Sequence, residues 1–497
     1  MKESYLLAID QGTTGSRAIL YDATGHQSSG SYQEFTQYFP KPGWVEHDAV
    51  EIFSSVRSVI HKALKRGRIS PNQIAAIAIT NQRETIVLWN RHTGKPVHRA
   101  IVWQDRRTSD LCQKFKEKYA ETRIREKTGL VWDAYFSATK ICWLLEHNPS
   151  LRKQANRGDL LCGTIDTWIL WNLTAGRIHA TDFTNASRTM LFDIKEKKWD
   201  SGLLELFKIP KIMLPEVKES GALFGKTAAT NGLPEGIPVQ AVLGDQQAAL
   251  YGQSCYESGQ GKNTYGTGCF LVLNLGPHCP EPVHGLLTTL ACDRQGKSTY
   301  ALEGSIFIAG AAVQWLRDGL LFFRKAQETE KLIHRLKSSE GVTVIPAFVG
   351  LGSPHWNSEI RGQISGITRG TTRAHIIRAT LESVAHQTAD VLDAMTEGSG
   401  HKIKNLHVDG GMTHNHFLMQ FQADLLRIPI LVSDRSESSA WGVAKLAGRR
   451  IKFWKSEKNI DNSKNFIRYS PKEKPSTTKG LREVWKTNLN HALQTCP

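Results

Sequence analysis

Short apolar runs closed by polar turns recur along the whole chain. The run Tyr5-Leu6-Leu7-Ala8-Ile9 predicts a buried strand, and Arg17 to Tyr21 predicts a second one. The turn between them carries Asp10, Thr13, Thr14, Gly15 and Ser16 beside Arg17, more chemistry than a turn needs. "QIAAIAITNQRETIVLWN" predicts two strands around a polar turn. "TSDLCQKFKEKYAETRIREKTG" predicts a helix ending near Gly129, and "TIDTWILWNLT" is an apolar segment followed by a turn. Strand-like and helical runs alternate throughout, which predicts an α/β or mixed α/β architecture.

One plan occurs twice. "YLLAIDQGTTGSRAILYD" reads strand, Gly/Thr turn, strand, and so does "GKNTYGTGCFLVLNLG" at residues 261 to 276. Two such turns predict two related domains that grip one ligand between them. The polar stretch "GQSCYESGQG" sets the boundary near residues 252 to 260. The expected division is residues 1–252, residues 253–450 and a basic C-terminal extension, 451–497, with a closing helix near "GLREVWKTNLNHAL".

Composition narrows the classes. With 497 residues, 40% of them apolar, and 13 Trp, the chain has material for two or three cores. The most apolar run, Ile74 to Ile79, has strand length, so no membrane insertion is expected. The apolar run before Asp10 is too short for a signal peptide. Eight cysteines stand without a CxxC pair, which points away from zinc and disulfide frameworks and toward a cytoplasmic location. The formal charge of +16 raises the question of nucleic acid. Its clusters, "KALKRGR" and "GRRIKFWKSEK" among them, do not interleave aromatics and cations as a base-stacking platform does, so no specific nucleic-acid partner is expected.

Several segments imitate other motifs. "GALFGKT" has a P-loop's lysine but too few residues between its glycines, and no buried strand precedes it. "SATK" has the spacing of penicillin-binding enzymes without their companion motifs. His407, His414 and His416 lack a Cys or paired-carboxylate ligand set.

Four segments carry chemistry. Hydroxyls, backbone N–H groups, Arg17 and the Asp10 carboxylate at the opening tip suit a phosphate chain and its metal ion, and equally an ordinary hairpin with a polar tip. "NQRET" sets Arg83 and Glu84 side by side, a donor and an acceptor for adjacent hydroxyls. "LGDQQAAL" puts Asp245 between an apolar strand and a helical pattern, where α/β folds place catalytic acids and where a plain N-cap also stands. "VDGGMTHNHF" offers a tight Gly-Gly turn into a helix, good for close approach of a base or phosphate.

Taken in order, "DQGTTGSRA", "KPGWVEHD", "ITNQRET", "AIVWQDRRT", "FTNASRTMLF", "GDQQAAL", "KNTYGTGCF", "ALEGSIFIAGAAVQWLRD", "IPAFVGLGSPHW" and "HIIRATLES" resemble the FGGY family of carbohydrate kinases, from residue 9 to about 448. "YFSATKICWLLEH" and "GQISGITRGTTRAHIIRATLE" are similar to that family's signature segments. The resemblance implies two actin-like ATPase domains with ribonuclease-H-like cores flanking a catalytic cleft. Among the family's members it is similar to those acting on glycerol, which implies ATP and Mg²⁺, glycerol as acceptor, sn-glycerol 3-phosphate as product and a homodimer or homotetramer. Carried over residue by residue, it implies Asp245 as the base, and Arg83, Glu84, Tyr135, Asp245 and Gln246 on the glycerol hydroxyls. Trp103 and Phe270 would form an apolar wall. Thr13, Thr14, Gly15, Arg17, Thr267, Gly310, Gln314, Gly411 and Asn415 would contact the nucleotide, and Asp10 would hold the metal. The chain departs from the family's pattern at Met412 and His414, at Trp441 where Leu is usual, and in "TNGLPEGIP". There Pro234 and Gly236 replace the Gly-x-Arg with which some members bind fructose 1,6-bisphosphate.

Overall fold

A computed structural model of the chain describes residues 3–229, 232–433, 435, 437–461 and 466–495. The opening run forms β1 (Tyr5–Gln11), which turns back into β2 (Gly15–Tyr21) and then β3 (Gln27–Glu34). Helix α1 (Ala49–Gly67) follows, its first turn capped by Asp48, whose carboxylate accepts from the N–H groups of Val50 and Glu51. The chain re-enters the sheet as β4 (Ile74–Asn81), parallel to β1. Much later, β5 (Gly225–Lys226) and β6 (Pro238–Gly244) complete the order β5-β6-β4-β1-β2-β3. Register decides what this sheet can do. Asp10 lies beside Thr80, and Thr80 beside Leu243, so the carboxyl ends of β1, β4 and β6 finish level with one another.

The second half repeats the plan. Its strands are β7 (Gly261–Tyr265), β8 (Cys269–Gly276), β9 (Leu287–Cys292), β10 (Ser298–Ile306), β11 (Leu406–Asp409), β12 (Ile430–Ser433) and β13 (Phe466–Tyr469). They stand in the order β9-β10-β8-β7-β11-β12-β13. β7–β8–β10 run antiparallel, while β7, β11 and β12 run parallel, as β1–β2–β3 and β1, β4 and β6 do in the first sheet. Two related sheets are therefore joined in one chain, as the duplicated hairpin predicts, and their plan is the ribonuclease-H-like one that the family resemblance implies.

Each sheet is covered by helices. One face of the first packs Leu7 and Ile9 against Val56 and Ile60 of α1. Its other face, Leu6, Ala8 and Ile19, meets two helices, α2 (Asp245–Gly252) and α6 (Ser438–Arg450), the latter arriving from the far end of the chain. These two helices touch backbone to backbone. A Cβ on Gly442 would stand 1.8 Å from the Ala248 carbonyl, and one on Gly252 would stand 2.3 Å from that of Ser438. The second sheet is covered by α4 (Arg373–Ser399) and α5 (His416–Leu426), through residues such as Val384, Val391 and Leu418. Ahead of these in sequence, α3 (Gly310–Asp318) begins directly after β10 and a short turn.

Trp441 explains its own departure from the family pattern. It is buried on α6, against the face of the first sheet that α2 and α6 cover, edge-on to Tyr21 at 5.2 Å and tilted against Trp454 at 5.5 Å, with the Arg435 guanidinium 4.0 Å from its ring centre. Leucine would leave part of that space empty and lose the aromatic contacts. Trp441→Leu is expected to lower stability by about 1–3 kcal/mol, read from the urea midpoint.

Two expectations need correction. Residues 109–128 form two helices, Ser109–Lys118 and Glu121–Thr128, with Tyr119 extended between them; the second ends as expected at Gly129, in the left-handed region. Phe115 and Ile124 both pack into one core cluster. In an unbroken helix the nine residues from 115 to 124 would turn about 900° and set the two on opposite sides, so the break serves the packing. "TIDTWILWNLT" is, as expected, an apolar segment followed by a turn: the segment is a largely buried helix, Ile165–Leu173, and the turn is Thr174–Gly176. The basic extension is not wholly peripheral: Trp454 and Ile460 belong to the core under α6, and β13 pairs with β12. "QIAAIAITNQRETIVLWN" does give two strands, but they part company. β4 lies in the first sheet, and Ile86–Asn90 lies in a separate five-stranded sheet, with Gln82 to Thr85 bridging the two.

Candidate active site

The level ends of β1, β4 and β6 bring Asp10, Arg83 and Asp245 to one edge of the first sheet. At the opening tip, the Gly12 N–H donates to the Gly15 carbonyl at 2.9 Å, closing the turn. Thr13 Oγ1 accepts from Trp103 Nε1 at 2.9 Å, and Thr14 Oγ1 meets the Tyr32 hydroxyl at 3.3 Å. Gly15 lies under the Tyr32 ring, 2.6 Å from where a Cβ would be. Arg17 forms an ion pair with Glu437, just ahead of α6, tying the tip to the second half of the chain. No described residue donates a hydrogen bond to the Asp10 carboxylate. Burial pushes it up to about 7 against the pull of Arg17, with Glu437 and Asp245 adding to the rise. A carboxylate this poorly compensated fits a cation.

Arg83 and Glu84 are buried, and Glu84 holds φ at 62°, a left-handed conformation that a non-glycine residue keeps only when its surroundings enforce it. Arg83 Nε stands 3.3 Å from Asp245 Oδ1. Asp245 is not a cap. Gly244 occupies the N-cap position of α2, the Asp245 carboxylate accepts, among the described residues, a hydrogen bond only from the adjoining Gln246 N–H at 2.7 Å, and its side chain is 32% exposed. Tyr135 packs edge-on to Trp103 at 5.6 Å, and burial, reinforced by Glu84, raises its hydroxyl well above the usual range. Phe270 is half-buried, and its carbonyl accepts from Lys262 Nζ at 3.2 Å. The same ammonium donates to Gln246 Oε1 and, at 2.8 Å, to Thr264 Oγ1. Burial lowers Lys262 to about 8, opposed by Asp409 and Asp245.

Across from this edge lies the second hairpin. The carbonyl of Thr267 accepts from Ala309 at 2.9 Å and from Ala311 at 3.0 Å, while Gly310 donates to Gly266 at 3.0 Å, so the β7–β8 turn seats against the start of α3. Gly310 and Gln314 lie one turn apart on α3. Gly410 keeps φ at 96°, and a Cβ there would stand 2.3 Å from the Tyr265 carbonyl. Its neighbour Gly411 faces open space. Asn415 is committed to capping: its Oδ1 accepts from Leu418 N at 2.8 Å, and its Nδ2 donates to Thr329 Oγ1 at 3.2 Å. His414 and His416 are exposed, and among the described residues no three His, Cys, Asp or Glu side chains form a group able to hold a metal ion. No described helix is long and apolar enough to cross a membrane.

Four residues at this site carry no local sequence signal. Arg188 and Glu303 pair with the Arg83–Glu84 turn, Gln247 accepts from Arg83 Nη1 at 3.3 Å, and Lys262 braces Gln246.

Twin ribonuclease-H-like sheets with polar hairpin tips turned toward a shared cleft define an actin-like phosphotransferase. The particular family follows from comparison: the chain belongs to the FGGY family of carbohydrate kinases, whose N-terminal domain model matches residues 5–252 and whose C-terminal domain model matches residues 261–451. It is 51% identical over 491 residues to a glycerol kinase of Bacillus licheniformis, covering 99% of each chain. The crystal structure of Plasmodium falciparum glycerol kinase with ADP superposes with a TM-score of 0.93 at 36% identity, over 99% of this chain and 98% of the other. Gluconate kinase from Lactobacillus acidophilus shares the fold at 20% identity, with a TM-score of 0.89 and 99% coverage of both chains.

Proposed function

We propose that this kinase transfers the γ-phosphoryl group of ATP to the 3-hydroxyl of glycerol, giving sn-glycerol 3-phosphate. One observation carries the reading. A buried Arg83–Glu84 pair stands beside a partly exposed Asp245 that lies outside the N-cap position of α2, its carboxylate accepting from the adjoining Gln246 N–H. A donor, an acceptor and a base at that spacing suit a short polyol, and the relatives described as glycerol kinases support the choice among acceptors. In this reading Arg83, Glu84 and Tyr135 hold the hydroxyls, Trp103 and Phe270 flank the carbon chain, and Asp245 takes the proton of the attacking hydroxyl.

The nucleotide would lie between the hairpin tips. Thr13, Thr14 and Arg17 would face its phosphates from one side, with Thr267, Gly310 and Gln314 on the other. Gly411 would leave room for the base where a side chain would not. Asp10 would hold Mg²⁺, which fits a carboxylate near the phosphate tip to which no described residue donates a hydrogen bond. When bound, the ion would supply charge compensation on the transferring phosphate. A coupled assay with ATP, Mg²⁺ and glycerol tests the reading directly: ADP release dependent on glycerol, with glycerol 3-phosphate as product, is expected.

Regulation by a bisphosphate needs a cluster of cations, best supplied by the forked guanidinium of arginine. Residues 230 and 231 of the relevant loop lie outside the described residues. Gly236 lies within them, at φ 93° with open space around it and no guanidinium to offer. Fructose 1,6-bisphosphate is therefore expected to inhibit weakly or not at all in the same assay. Strong inhibition at physiological bisphosphate would locate the anion on another basic loop.

A further inference from the structure

Behind Arg83 and Glu84 lies a closed ring of charges assembled from three distant parts of the chain. Arg188 comes from the turn after the short helix Phe183–Ala186, and Glu303 from the middle of β10 in the second sheet. Arg83 grips Glu303 with both prongs of its fork, Nη1 to Oε2 at 2.6 Å and Nη2 to Oε1 at 3.1 Å. Arg188 donates Nη2 to the same Oε1 at 3.0 Å and Nε to Glu84 Oε1 at 2.6 Å. Arg83 Nε, 3.8 Å from Glu84 Oε1, closes the ring. Exposure is 3% for Arg83, 1% for Glu84 and zero for Arg188 and Glu303, and the guanidinium and carboxylate charges balance. Burial opposes ionisation of Glu303, but Arg188 and Arg83 outweigh it and bring the carboxyl down to about 2. Glu84, by contrast, is raised by burial despite its two arginine neighbours.

The geometry points to Glu303 and Arg188 as positioning residues for the acceptor-binding pair. With both prongs of Arg83 engaged behind it, only the Nε edge remains for the front, 3.3 Å from Asp245. Arg188 likewise fixes one oxygen of Glu84, and no described residue donates to the other, which is left to face an acceptor hydroxyl. Because Glu303 belongs to the second sheet, the lock also ties the two halves together at the acceptor pocket. Removing its charge would leave two buried guanidinium groups sharing Glu84, with Asp245 at the front of Arg83 as the one other carboxylate beside it, and Arg83 would swing toward that carboxylate. The inference rests on the reading that Arg83 and Glu84 bind glycerol.

The test is Glu303→Gln in the full chain, with kcat and KM measured for glycerol and for ATP beside the parent. A misplacement of about 1 Å in a binding group costs ~10–100-fold, and here it is expected in KM for glycerol, with KM for ATP unchanged. A merely structural ion cluster would instead reduce the active fraction, lowering kcat for both substrates alike and leaving both KM values where they were. That result overturns the inference, as does a parent-like KM for glycerol. If Glu303→Gln does not fold, Glu303→Asp keeps the charge and withdraws the carboxylate by one methylene. A raised KM for glycerol alone supports the lock, and parent values overturn it. A parent enzyme that does not phosphorylate glycerol would refute the functional reading itself, an outcome distinct from either.

Discussion

Replacing Asp245 by asparagine is expected to lower kcat by about a hundredfold or more while the protein stays folded and binds ATP. The asparagine would keep the size of the side chain and an acceptor for the Gln246 N–H, so α2 should start as before. It would lose the charge that faces Arg83 Nε at 3.3 Å and the basicity proposed to take the proton from the attacking hydroxyl. General-base catalysis contributes ~10²–10⁴ in rate, and a loose phosphoryl-transfer transition state, in which the proton leaves late, favours the lower half of that range. Nucleotide affinity should persist, because the residues proposed for the phosphates, Thr13, Thr14 and Thr267, make no hydrogen bond to Asp245. Single-turnover phosphoryl transfer and ATP titration of the variant check the two halves of the expectation separately. Turnover near the parent rate would mean that the base lies elsewhere.

The acceptor itself should be selected by a still larger factor. A site in which Arg83, Glu84 and Asp245 are proposed to meet particular hydroxyls leaves polar atoms without a partner when a hydroxyl is missing or displaced, and such sites reject analogues by ~10⁴ or more. The pocket has little room to adapt. Glu84 is fixed in a left-handed conformation, and the Arg188 guanidinium lies 5.7 Å from the centre of the Tyr135 ring and 5.4 Å from that of Phe136, behind the acceptor residues. Glycerol is therefore expected to exceed xylulose, ribulose and gluconate in kcat/KM by about that factor, measured as a panel under identical ATP and Mg²⁺. A pentose phosphorylated faster than glycerol would end the glycerol assignment and leave the family intact.

Local patterns in the sequence determined a good deal of this protein. The apolar runs Tyr5 to Ile9 and Cys269 to Leu273, each beside a Gly/Thr turn, are enough to predict two hairpins of one plan, because a strand is a local object and glycine and threonine mark its turn. The adjacency of Arg83 and Glu84, and the place of Asp245 between strand and helix, are likewise visible one segment at a time. What binds these segments into a site is not. Arg83 and Glu303 are 220 positions apart, and Arg188 and Glu303 are 115 apart. In sequence, Glu303 is a lone acid inside an apolar strand, "ALEGSIF", with nothing nearby to say whom it serves. Only the tertiary approach of β10 to the turn after β4 brings its carboxylate to two guanidinium groups, and the low dielectric of that interior makes the pairing decisive. The break at Tyr119 has the same origin. Helical propensity runs through "KEKYAETR" without interruption, but the core requires Phe115 and Ile124 on one side, and tertiary packing outweighs a local preference worth only tenths of a kcal/mol per residue.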